Sequence, residues 1–135
     1  MRGDEAIQAT ARMIEEVTRE VAPEEAFVGH VGGDDFVVVT LPLRATDVAD
    51  AIVARFDSES PGLYDDEDRT RGFIEVTSRR GELQRFPLLS ISIGIASTDR
   101  RAFAHYAEAV AVATEMKAFT KAKAGSSWAI DRRAP

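Results

Sequence analysis

Between the apolar runs Val28-Gly29-His30-Val31 and Phe36-Val37-Val38-Val39 stands the tetrad Gly32-Gly33-Asp34-Asp35. Paired glycines in such a place predict a tight hairpin, because glycine reaches positive φ without steric cost. The two carboxylates then sit at the mouth of the turn. Their mutual repulsion there favours a cation or a metal-bound phosphate. Taken bare, the tetrad also fits an ordinary tight turn with two solvated acids. The run Phe36–Val39 that follows reads as a strand buried on both faces, which would mount the acids on a rigid central element.

The rest of the chain bounds what that hairpin can belong to. At 135 residues and 44% hydrophobic, it is expected to form a single globular domain with a proper core. A formal charge of −6 and a pI near 4.9 argue against a nucleic-acid or anionic-membrane binder, which needs a basic face. The absence of cysteine rules out a disulfide framework and points to a reducing cytoplasm. No apolar run approaches spanning length, so no membrane insertion is expected.

In chain order, Asp4 reads as the N-cap of a first helix with Ile7, Ala11, Ile14, Val17 and Val21 as its stripe, ended by Pro23. A second helix is predicted from Thr46, as its N-cap, to Asp57. Residues 58–70 read as a surface loop, its run Asp65–Asp68 a solvated charge cluster without the spacing of a calcium loop. Gly72–Thr77 and Glu82–Phe86 flank Ser78-Arg79-Arg80-Gly81 as a second hairpin. From Leu89 to Ala96, bulky residues alternate with Ser90, Ser92, Gly94 and Ala96, a small face that lets a helix or a ligand approach closely, the helix being the favoured reading. The spacing predicts a helix from Ala102 to about Lys121. Its stripe Phe103, Tyr106, Val110 and Ala113 would face the sheet, and Val112, Met116 and Phe119 would face another partner. Ser127–Ile130 reads as a last strand. The fold class expected is α+β, an antiparallel-rich sheet with helices packed on it.

Three segments resemble one family in the right order: Gly3-Asp4 opening a helix, Gly32-Gly33-Asp34-Asp35-Phe36, and Leu89-Ser90-Ile91-Ser92-Ile93-Gly94-Ile95-Ala96. They are similar to the GGDEF domains of bacterial cyclic di-GMP signalling, and the likeness covers nearly the whole chain. The resemblance implies a ferredoxin-like nucleotidyl-cyclase fold and an ancestry in joining two GTP molecules into cyclic di-GMP. Magnesium belongs to that reaction and is expected here only with bound nucleotide. By motif position, Gly32 and Gly33 would let the backbone approach the phosphates. Asp34 would stand near the attacking hydroxyl, Asp35 would ligate the metal, and Asp4 would meet the guanine base. Lys121 would meet the triphosphate if one residue is inserted.

The chain also departs from that pattern. Asp35 replaces a glutamate and is shorter by roughly 1.5 Å of reach. The family's first strand and helix, which carry a further metal-ligating Asp and a guanine-contacting Asn, would precede Gly3 and are expected to be missing, leaving strand edges open. Pro23 and Ala26 stand where the family's feedback site has Arg and Asp. His30 replaces a basic residue and reads as a structural hydrogen bonder, and Ser126 replaces an arginine. The expected function is therefore a regulatory module that binds GTP, cyclic di-GMP or a partner without catalysis. The alternatives are a diguanylate cyclase active when dimeric or full-length, and a structural dimerisation domain. The expected partner is a second copy or a neighbouring signalling domain.

Overall fold

The computed structural model describes residues 3–24, 26–64, 73–87, 89–99 and 101–133. Helix α1 (Gly3–Val21) leads into a ribbon of β1 (Phe27–Gly32) and β2 (Asp35–Val39), and then into α2 (Ala45–Glu59). A second ribbon, β3 (Phe73–Thr77) with β4 (Leu83–Pro87), precedes β5 (Ser92–Ile95). Helix α3 (Tyr106–Lys121) and β6 (Ser127–Ile130) complete the chain. The two ribbons are antiparallel, whereas β5 and β6 run parallel. Each pair is a separate two-stranded sheet. The chain is thus mixed helix and strand as expected, with less antiparallel character than the sequence predicts.

The core forms where α1 and α2 pack together. Ile14, Val17 and Ala22 meet Val48 and Ile52, and Val28, Phe36 and Val38 of the first ribbon close over them together with Ile91 and Ile93. A second cluster joins Ala9 and Met13 to Phe56. The buried stripe of α1 is therefore Ala6, Ala9, Met13, Ile14 and Val17, rotated from the stripe predicted. Asp4 lies inside the first turn of α1, which includes Gly3, so it does not cap the helix. Its charge still complements the helix N-terminus.

Thr46 does not cap α2 either. A 3-10 turn over Pro42–Arg44 runs straight into the helix, so Arg44 takes the cap position with no side-chain bond. Another 3-10 turn, Ser60–Leu63, occupies the start of the predicted loop. Asp65–Asp68 lie outside the described residues.

β2 is not buried on both faces. Phe36 and Val38 turn to the core, while the other face of the ribbon carries Phe27 (63% exposed) and Val39 uncovered. The sequence makes both faces apolar, but only one finds a helix layer.

The small face of the β5 segment is used as predicted. A Cβ added at Gly94 would overlap the carbonyl oxygen of Ala113 and the amide nitrogen of Lys117, so α3 lies directly on that strand. Helix α3 starts later than predicted. Glu108 Oε2 accepts the Ala104 amide at 3.0 Å, and His105 is extended as the N-cap, which holds 104–105 out of the helix. The predicted stripes hold in part: Ala113 lies against β5 at Gly94, but Tyr106 is 66% exposed and Val112 is buried, while Phe119 is exposed with Lys123 over its ring.

Candidate functional site

The first ribbon closes with Gly32 opposite Asp35, leaving Gly33 and Asp34 as a two-residue loop. Gly33 adopts φ +54, the left-handed conformation that favours glycine. One extra residue, Val31, bulges from β1 between His30 and Gly32. His30 braces the bend from below: Nε2–H donates to the Gly33 carbonyl at 2.6 Å, and its ring stacks on Phe36 at 4.6 Å. The histidine is a structural hydrogen bonder, as its position suggests.

Both acids stand exposed at this bend. Asp34 makes no hydrogen bond or ion pair with another described residue. Asp35 is engaged: Lys117 Nζ on α3 donates to its Oδ1 at 3.0 Å. That hydrogen bond and the ammonium charge hold the Asp35 carboxyl below the ordinary carboxylate range, with a further push from the charge of Lys121. The tight contact at Gly94 is what sets this up, since it fixes the backbone of α3 at Lys117 itself.

The structure thus brings Gly32, Gly33, Asp34 and Asp35 together with Lys121 and adds Lys117, which the motif comparison misses. Its i, i+4 spacing from Lys121 puts two ammonium groups on one helix face but does not by itself point to Asp35. Asp4 is not brought in. It belongs to the half of α1 packed on Phe56 and Leu63, and no hydrogen bond or ion pair joins it to the turn. Ser126 is spent on packing: its hydroxyl donates to Asp57 Oδ1 at 2.6 Å and accepts the Ile91 amide at 3.0 Å. The ribbon's clearest surface depression, lined by Ala26, Phe27, Val39, Thr40 and Leu41, lies at its base, at the opposite end from the turn.

Against protein-family models, curated proteins and solved structures, the chain finds no match. The reading of the site therefore rests on its own chemistry. Asp34 and Asp35 do not fit a resident magnesium ion. One oxygen of Asp35 is held by an ammonium, and among the described residues no group of three or more His, Asp or Glu converges as a metal site. What the bend offers is a glycine turn whose Asp35 carboxylate draws in the positive charge of Lys117 and Lys121. No helix among the described residues is long and apolar enough to cross a membrane.

Replacing Lys117 with methionine should raise the Asp35 pKa back toward the ordinary value of 3.8, with a small lowering left by Lys121. A carboxyl-resolved NMR titration reads this directly. An Asp35 titration identical to that of the parent would contradict the pairing.

Proposed function

We propose that this chain is a degenerate GGDEF-type module that binds a guanine nucleotide, GTP or cyclic di-GMP, at the Gly32–Asp35 bend without turning it over. The observation that carries the reading is the ion pair between Lys117 and Asp35 at 3.0 Å. The carboxylate that would ligate a metal in an active member already has a cation. The same lysine and Lys121 supply positive charge beside the turn amides, where phosphate oxygens of a nucleotide would bind. Magnesium, in this reading, arrives with the nucleotide's phosphates and is not held by the protein alone. The resemblance of the Gly32–Phe36 and Leu89–Ala96 segments to the family supplies the choice of guanine, and a cytoplasmic signalling role accords with the cysteine-free composition.

The test of the catalytic half is chromatography of the chain incubated with GTP and magnesium. The reading expects GTP to be returned intact. Cyclic di-GMP in the eluate would overturn it in favour of a cyclase.

A further inference from the structure

Each of the six strands has one edge without a strand partner among the described residues, and the edges of β2 and β3 are the two whose turns carry opposite charges. β2 is hydrogen-bonded only to β1, and β3 only to β4. Open edges invite pairing with another chain. Among the described residues the β3–β4 ribbon packs extensively on no other element, and a two-stranded ribbon alone is marginally stable in water.

The two edges match. Both strands have five residues. If β3 were laid antiparallel on β2, residues 73–77 would run beside 39–35, and the two tips would come together. Those tips carry opposite charges. Ser78-Arg79-Arg80-Gly81 presents two exposed arginines with no ion pair among the described residues, and Gly33-Asp34-Asp35 presents two exposed acids. The opposite register, β3 parallel to β2, would put the arginines at the apolar base beside Phe27 and Val39. Charge therefore selects the antiparallel arrangement. The backbone of the arginine turn is itself fixed: the Ser78 amide donates to Glu82 at 2.8 Å, the Gly81 amide to Ser78 at 2.9 Å, and Gly81 has φ +80.

We propose that a second copy of this chain adds its β3–β4 ribbon antiparallel to β2, reciprocally, so that Arg79 and Arg80 of each copy meet Asp34 of the other in a two-fold dimer. The contact uses Asp34 of the same bend as the binding reading above, but it requires no nucleotide and is tested without one.

Charge exchange tests it. The parent should sediment at twice its 14.7 kDa mass at about 100 µM, within the affinity range of modest interfaces. Arg79→Glu/Arg80→Glu and Asp34→Lys should each weaken self-association by about tenfold or more, since each puts like charges at both contacts. Mixed one to one, the two variants should recover the dimer, because every contact in the mixed pair is again complementary. A parent that remains at 14.7 kDa, variants that dimerise as the parent does, or a mixture that stays monomeric would overturn the proposal.

Discussion

Gly94→Val is expected to lower the melting temperature by about 10 °C or more, from a cost of about 3 kcal/mol. The new side chain would begin inside the backbone of α3, overlapping the Ala113 carbonyl oxygen and the Lys117 amide nitrogen. Backbone cannot swing aside as a flexible side chain can, so the helix must lift from β5 as a unit. Two consequences separate this from a simple packing defect. The parallel β5–β6 pair loses the helix that covers it. Lys117, carried on the same turn, also leaves Asp35, so the Asp35 carboxyl should rise toward the ordinary range. A Gly94→Val chain that melts with the parent and keeps its Asp35 titration would show that α3 does not lie on this strand.

Asp131→Ala should be nearly as costly, by about 10 °C in melting temperature. Asp131 follows β6 directly and is 1% exposed. Its Oδ1 accepts Arg133 Nε at 2.7 Å, its Oδ2 lies 2.7 Å from Arg101 Nη2, and its amide donates to the Ile95 carbonyl at 3.0 Å. Arg133 continues to Glu115 on α3 at 2.7 Å. The carboxylate thus ties the end of the last strand to the loop before α3 and, through Arg133, to α3, while the backbone amide that pairs with β5 is untouched by the substitution. Removing the carboxylate leaves the half-buried Arg101 guanidinium without its partner. The hydrogen bond from Arg133, ahead of the other effects, holds this carboxyl below the ordinary 3.8. A carboxyl lowered in the folded state adds stability above its unfolded pKa and loses it as pH falls through the lower folded value. The parent's melting temperature should therefore drop steeply below about pH 4, and the Asp131→Ala profile should be flatter there. Parallel pH profiles for the two proteins would contradict the role given to Asp131.

Much of this fold was legible where local backbone chemistry decides it. The Gly32-Gly33 bend, the Gly81 turn, the terminal strand and the close helix approach at Gly94 follow from φ preferences and side-chain size. What a pattern cannot report is how many layers surround a strand. Phe27, Val37, Val38 and Val39 are apolar whichever face is covered, so the single covered face of β2 was unreadable. The start of α3 was missed for a similar reason. The Glu108 side chain reaching back to the Ala104 amide overrides an otherwise helical run. At the candidate site, the acids and glycines were visible as a motif. Lys117 was not, because its meeting with Asp35 depends on a contact made at Gly94, far away in sequence.

The central claim is that the glycine bend with Asp35 held by Lys117 receives a guanine nucleotide. Thermal melting across a GTP concentration series, with magnesium fixed, tests this most directly. The melting temperature should climb steadily with the logarithm of GTP concentration, and much less for Lys117→Met. Melting curves that superimpose at every concentration would contradict it.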